Sequence, residues 1–501
     1  MSATRGPDAL LAPLRQALAA SGLDEADVWV HRRRAAITRY SDSSIHQNAV
    51  SDETHVHARA IVGSAVGATS GNSLEPADLR DLLERATALA RLQTPNRDWP
   101  GLAAPDGYRR PIAFDEATAA LEPALQARAI GRVCDAVTAA GFRAAGTHSI
   151  DVTEDAVANT TGVATYAPAT VAYLRTLVLG DHGGSGYADD LSHRASDLDP
   201  AGIASRAIEK CALDRDRVQL TPGDYEAVFE EDAVAEILRI MSITGLSGQS
   251  VREGRSFLSD AIGTAVTGNR FTLHDDALHP GQLAIPFDPE GSPKRRVALV
   301  EQGVARGPVY DRWSAKAAGT DSTGHAADPR RYGHGGHAGN LVMAGGTATR
   351  DELISSVTRG VLITRFHYTN TPDPKRYGHG GHAGNLVMAG GTATREELIG
   401  SVTRGILITR FHYTNTPDPK RATMTGTTRD GTFLIENGKI VRALANVRYT
   451  MSALDLFAGI DLLGPQRLVR DWWSTNGMGS IVCLAPAMKV SRATITGSSP
   501  T

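Results

Sequence analysis

Residues 331–375 and 376–420 are one 45-residue unit written twice. Only three positions differ between the copies: Asp351 becomes Glu396, Ser355 becomes Gly400 and Val361 becomes Ile406. Two copies at this period do not make a solenoid, which needs about three repeats to bury its faces. A fold with room for one unit must expel or restack the other. The upstream flank joins the first copy and the downstream flank joins the second. Each unit reads as a His/Gly-rich loop, a strand (Asn340 to Met343; Asn385 to Met388), a helix (Arg350 to Thr358; Arg395 to Thr403) and a second strand (Val361 to Tyr368; Ile406 to Tyr413).

Around this duplication the chain has room for two or three domains, since 501 residues exceed one ordinary core. Residues 1–97 read as an N-terminal α+β domain. A helix over Ala9 to Ala20 stops at Gly22 and short β-branched runs follow at Asp27 to His31, Ala35 to Tyr40, His55 to Val62 and Ala65 to Thr69. A second helix carries Leu79, Leu82, Leu83, Ala86 and Leu89 on one face, with Ser73 or Asn72 as its cap and Pro76 in its first turn. After a Pro-rich linker, residues 112–218 repeat a mixed pattern: a helix from Pro123 to Gly141, strands at Arg143 to Thr153, Ala156 to Thr160 and Thr165 to Val178, and a helix over Pro200 to Leu213. Residues 220–501 are strand-rich. Asn437-Gly438 between two apolar runs predicts a type I′ hairpin over Thr432 to Leu444. The fold class is α+β: mixed N-terminal segments followed by a strand-rich C-terminal domain.

A formal net charge of -3 leaves no electrostatic footprint for nucleic acid. No apolar run is long enough to cross a bilayer as a helix, and the first residues carry no basic-then-apolar leader, so neither membrane insertion nor secretion is expected. Cys134, Cys211 and Cys483 are odd in number and far apart. Each falls in an apolar helical face or strand, and buried thiols in a reducing compartment are expected.

The motif search leaves few catalytic candidates. No His is followed by Glu, so the zinc-protease pattern His-Glu-x-x-His and its His-Glu-x-x-x-His variant are absent, as are a Gly-x-Ser-x-Gly elbow and a Walker loop. The repeated Gly-His-Gly-Gly-His places His334 and His337, then His379 and His382, three apart among glycines, with His325, His367 and His412 not far off. Such a loop can bind a metal. No acidic or cysteine ligand stands at fixed spacing, however, and the loop reads first as a flexible polar one. His46, in Ser43 to Asn48, is either a surface-turn residue or a peptide contact.

Three stretches together resemble the TldD/PmbA family, also called modulators of DNA gyrase. They are Arg39-Tyr40-Ser41-Asp42-Ser43-Ser44-Ile45-His46-Gln47-Asn48, Ala156 to Gly162, and Gly360 to Tyr368 (again Gly405 to Tyr413) followed by Thr425-Gly426-Thr427-Thr428-Arg429-Asp430-Gly431-Thr432-Phe433-Leu434-Ile435-Glu436-Asn437-Gly438. The resemblance covers nearly the whole chain apart from one surplus repeat. It implies a cytoplasmic, heterodimeric metallopeptidase that degrades or trims unfolded peptides and matures some peptide antibiotics. One subunit, TldD-like, carries zinc on His-Glu-x-x-x-His with a further cysteine ligand; the other, TldE- or PmbA-like, lacks the motif.

The metal helix of that family should fall after the strand Asp224 to Phe229 and before the turn Gly245-Leu246-Ser247-Gly248. There Arg239 and Thr244 stand in the two histidine places and Ile240 in the glutamate place. Arg is permanently protonated and cannot ligate Zn²⁺, and Ile cannot act as a base. The resemblance therefore implies a non-catalytic subunit with no catalytic or metal-binding residues and no cofactor of its own. Zinc is expected in a TldD-like partner subunit, and an extended peptide is the expected substrate. Substrate contacts are expected from His46 and from Arg365, His367, Tyr368, Arg410, His412 and Tyr413 on the repeated strands. Two other readings stay open: a self-sufficient metal-dependent hydrolase using the duplicated His/Gly loops, and a non-enzymatic scaffold or regulator.

Overall fold

Three consecutive arginines, Arg32 to Arg34, interrupt the apolar pattern of the first strand, yet the strand runs straight through them. Arg32 lies between Asp52 (Nε–Oδ1 2.9 Å) and Glu154 (Nη1–Oε2 2.5 Å), and Arg33 pairs with Asp151. With partners on both neighbouring strands the charges are compatible with a buried ladder. The two short runs read at Asp27 to His31 and Ala35 to Tyr40 are therefore one 17-residue strand, β1 (Glu25–Ser41), and its partner β2 (Ser44–Val62) is equally continuous. In this computed structural model the described residues are 3–108, 113–120, 122–283, 286–328, 336, 338, 341–343, 360–365, 385–388, 404–408, 411–470 and 482–498.

The N-terminal half is built twice on one plan. Helix α1 (Pro7–Ser21), strands β1, β2 and β3 (Ala65–Gly71) and helix α2 (Pro76–Leu92) come first. A short α3 (Glu116–Ala119) precedes α4 (Pro123–Ala139), β4 (Arg143–Asn159), β5 (Ala164–Leu179), β6 (Ser185–Ser192) and α5 (Pro200–Leu213). The segments 1–97 and 112–218, read above as two domains, share one six-stranded sheet of order β3-β2-β1-β4-β5-β6, with the halves joined antiparallel at β1 and β4. Strand β6 follows directly on the glycines at 180, 183 and 184, and its first residues pair with the end of β5, Ser185 with Leu179 and Gly186 with Val178.

The two halves use the same packing device at the sheet ends. A Cβ on Gly67 of β3 would sit 2.0 Å from the Ala86 carbonyl of α2, and one on Gly186 of β6 would sit 2.0 Å from the Ala207 carbonyl of α5. Only glycine admits so close an approach of helix backbone to strand. Helix α2 starts at Pro76 as expected, but Ser73 does not cap it. The cap position is Glu75, without a side-chain bond to the helix, and the Ser73 hydroxyl accepts instead from the Glu75 amide at 3.1 Å.

The helices cover one face of this sheet. Its other face meets the C-terminal half through Trp29, Val157, Val163 and Phe287. The C-terminal half opens with β7 (Gly223–Glu230), which runs into α6 (Glu231–Gly245) and a short α7 (Gly248–Arg252). Then come β8 (Leu273–Asp275), β9 (Val297–Glu301), β10 (Val304–Ala305) and α8 (Arg312–Ala318). The duplicated region gives β11 (Leu341–Met343), β12 (Gly360–Arg365), β13 (Asn385–Met388), β14 (Arg404–Ile408) and β15 (Phe411–Asp418). The chain ends in β16 (Thr423–Thr428), β17 (Thr432–Glu436), β18 (Lys439–Ala443), β19 (Val447–Ser452), α9 (Ala453–Ala458), β20 (Ile460–Arg470) and β21 (Val482–Ser498). These strands form one large mixed sheet. The β17–β18 turn has Asn437 and Gly438 both at positive φ, 50° and 73°, as a type I′ hairpin requires. Cys134, Cys211 and Cys483 are free and buried. The helices read at 350–358 and 395–403 lie outside the described residues.

His148 of β4 is 3% exposed, and neither ring nitrogen has a hydrogen-bond partner among the described residues. Burial pushes its pKa down to about 4 from 6.5. The unfolded chain therefore takes up this proton below pH 6.5 while the folded chain does not until about pH 4. Stability is lost as pH falls through that window, on the order of 3 kcal/mol from this group. Urea unfolding at pH 7 and pH 4.5 should show the loss, and His148→Leu should flatten the difference. Gly186→Ala should cost roughly 3 kcal/mol in the same assay through overpacking against α5.

Candidate functional site

Helix α6 has no water face. Every residue from 232 to 242 is buried, between β21, β20, β12 and β7. Ala233, Val234, Ile237, Leu238 and Met241 belong to the main C-terminal core. A helix buried all round can carry charges only if each finds a partner. Its first turn is acidic, matching the positive end of the helix dipole. Glu230, the capping residue, takes the Lys210 ammonium at 2.7 Å, and Asp232 takes the Arg467 guanidinium at 2.5 Å.

The three positions singled out in the sequence are all engaged. Arg239 grips Glu236 in a bidentate pair one turn back, Nε–Oε2 2.8 Å and Nη2–Oε1 2.7 Å, with both side chains under 10% exposed. Ile240 is buried in the core. The Thr244 hydroxyl donates to the Ile240 carbonyl at 2.7 Å. Ser242 donates to the Ala338 carbonyl at 2.9 Å, tying the helix to the first repeat. Near the Glu236–Arg239 pair, the Tyr449 hydroxyl contacts Thr414 of the second repeat at 2.8 Å. Burial drives the Tyr449 pKa well above 10; the Glu236 charge acts in the same sense and Arg239 opposes it.

This donor set does not fit a zinc ion. A guanidinium is a cation with donors only, and here it neutralises the nearest carboxylate. Cys483, on β21 beside the helix, donates its thiol to the Ala235 carbonyl at 3.7 Å. Among the described residues no group of three or more His, Cys, Asp or Glu is arranged to hold a metal. His334, His337, His379 and His382 lie outside the described residues.

The candidate substrate contacts divide. His46 is exposed, but it is not in the turn. The turn residues are Asp42 and Ser43, both at positive φ, and His46 is the extra residue of a bulge in β2, where pairing steps from Arg39–Gln47 to Tyr40–Ile45. His367, Tyr368 and Arg410 lie outside the described residues, while Arg365, His412 and Tyr413 are described only as backbone of β12 and β15. Main-chain pairing of a peptide to β12 or β14 has no edge to use, because both are lined by β7 and β17. The open edge is elsewhere. Strand β3 pairs β2 only from Val56 onward, so residues 44–55 of β2 have no outer neighbour among the described residues.

One polar cluster escaped the sequence reading. On the β1–β2–β4 face turned to the C-terminal half, Trp29 stacks on His31 with ring centroids 5.8 Å apart, and both Trp29 Nε1 (3.1 Å) and His31 Nδ1 (3.0 Å) contact Asp155. His55 meets Trp29 edge-on, and His57, its pKa lowered to about 4 chiefly by burial, bonds Ser70 at 3.0 Å. The signal was present as two same-face pairs, Trp29-x-His31 and His55-x-His57, spaced by two as a strand requires.

The structure is thus a two-sheet α+β fold whose buried central helix carries an ion pair. Comparison with known families gives the class. Residues 222–379 and again 375–497 match the PmbA/TldA metallopeptidase C-terminal domain, and residues 26–90 match domain 1 of the same group. The chain belongs to the PmbA/TldD metallopeptidase family. Its fold is shared with TldE from Thermococcus kodakarensis (TM-score 0.78, 20% identity, covering 97% of this chain and 100% of that one). It is shared also with a candidate DNA gyrase modulator from Thermotoga maritima (TM-score 0.76, 16% identity, 97% and 99% covered). A metalloprotease TldD homolog from Buchnera aphidicola is 29% identical over 127 residues, 24% of this chain and 26% of that protein. Metalloprotease PmbA from Escherichia coli O157:H7 is 25% identical over 123 residues, 24% and 25%. The chain thus spans about a quarter of the length of these curated relatives.

Removing Glu236 takes the bidentate partner from a buried guanidinium. Glu236→Ala is expected to cost roughly 3–5 kcal/mol in chemical denaturation, and pairing it with Arg239→Met should recover most of that loss.

Proposed function

We propose that this chain is the non-catalytic subunit of a two-chain peptidase, completing the substrate channel for unfolded or extended peptides. The observation that carries the reading is Arg239. It stands where the family's first zinc-binding histidine is expected, and its guanidinium is spent on Glu236 inside a helix otherwise retained. Zinc and the water-activating base then belong to a TldD-like partner with His-Glu-x-x-x-His, and both chains work in the cytoplasm. No helix of the described residues is long and apolar enough to cross a membrane.

This chain contributes grip. An extended peptide laid along residues 44–55 of β2 would exchange main-chain hydrogen bonds with an open edge, largely regardless of its side chains. His46 lies at the bulged end of that edge.

Co-expression with a family member that carries the motif tests the proposal. The expected result is a stable complex that cleaves unfolded peptides and holds zinc in the partner, while this chain alone binds no stoichiometric zinc and cleaves nothing. Zinc bound by the chain alone and lost on His334→Ala or His379→Ala would instead make it a self-sufficient metalloenzyme. Failure to form any complex would leave the scaffold reading.

A further inference from the structure

The two copies of the repeated unit claim the same seats in the C-terminal sheet. Val361 of β12 and Ile406 of β14, 45 positions apart, both pair in parallel with Ala227 of β7, and Ile363 and Ile408 both pair with Phe229. On the opposite side Gly360 and Gly405 both face Ile435 of β17, and Leu362 and Leu407 both face Phe433. The earlier strands behave alike: Val342 of β11 and Val387 of β13 both pair with Leu484 of β21 and with His274 of β8.

A strand has two edges, and each edge accepts one neighbour about 4.8 Å away. Strand β7 gives one edge to β21, through Val490 opposite Ala227. One edge remains for two claimants at identical register, and the two claimants also pair with each other, Val361 with Ile406 and Ile363 with Ile408. Both copies make contacts with the rest of the fold. Ala338 of the first unit is buried and receives the Ser242 hydroxyl, and the Met343 carbonyl receives the Gln466 amide at 3.2 Å. Ile406 and Thr414 of the second unit are fully buried.

We propose that the sheet has one β11-type seat and one β12-type seat, and that either copy of the unit can fill each. Whichever strands are seated, the same 45 surplus residues stay off the sheet, so loop-closure entropy barely distinguishes the arrangements. Side chains distinguish them weakly. In the β12/β14 seat the difference is one methylene, Val361 against Ile406, which favours the second copy by about fourfold. The duplication is then tolerated because the fold reads one unit and is indifferent to which.

Paired substitutions test this. Val361→Asp alone and Ile406→Asp alone should each leave a folded chain, because the other strand takes the seat; Ile406→Asp should be the more costly by about fourfold in folding equilibrium constant. Val361→Asp with Ile406→Asp should unfold the C-terminal half. If one single variant is as damaging as the double, or if the double is harmless, the proposal fails. Deletions guard against a trivial folding defect: chains lacking 331–375 or lacking 376–420 should both fold, with closely matching melting midpoints. Collapse of both deletions would mean that both copies are needed together and would overturn the proposal.

Discussion

One guanidinium holds the two halves of the molecule in register. Arg467 of β20 reaches Asp189 of β6 at 3.0 Å and Asp232 of α6 at 2.5 Å, so a strand of each sheet and the central helix meet on a single cation. Burial raises the Asp232 carboxyl, Asp189 pushes the same way, and Arg467 opposes both. An ion so placed is weak evidence of net stability, since the desolvation it costs rivals the attraction it gains. It fixes geometry instead. Asp232 lies one turn before Glu236, so the alignment of α6 against the N-terminal sheet also sets where the Glu236–Arg239 pair lies.

Other contacts join the halves as well, among them Lys210 with Glu230 and Ser185 with Asp430. Arg59 bridges Asp27 of its own sheet and Glu290 across the boundary, and the Tyr108 hydroxyl donates to the Gly291 carbonyl at 2.7 Å. Phe287 fills the apolar gap beside Trp29 and Val157. The polar cluster of Trp29, His31, His55 and Asp155 lies on this same inward face. An ion pair thus occupies the buried helix, and a polar cluster lines the surface between the halves.

Much of this was legible in the sequence, and the reasons are local. The Asn437-Gly438 turn, the apolar face of α6 and the buried faces holding Cys134 and Cys211 follow from short-range rules that tertiary context did not override. That Arg239, Ile240 and Thr244 share one helix follows from the strand before it and the turn after it, whereas the roles compared with them come from the family resemblance. What escaped depends on partners distant in sequence. Arg32 to Arg34 looked like a break because Asp52, Asp151 and Glu154 could not be seen beside them. The union of two segments in one sheet rests on β1 pairing with β4, more than a hundred residues later. His46 read as a turn residue because Asp42 and Ser43 take positive φ without a glycine to announce it.

The open edge of β2 has a consequence for the chain on its own. Residues 44–55 have no outer strand among the described residues, and such an edge, open to the same edge of another copy, seeds association unless something discourages it. Here the bulge at His46 breaks the regular ladder, and Asp52 and Glu53 are exposed along the strand. A second copy of this edge would bring its own bulge and its own Glu53 carboxylate into the shared ladder. The edge is thereby biased toward a visiting strand that carries no such charge and no such kink, and away from its own likeness.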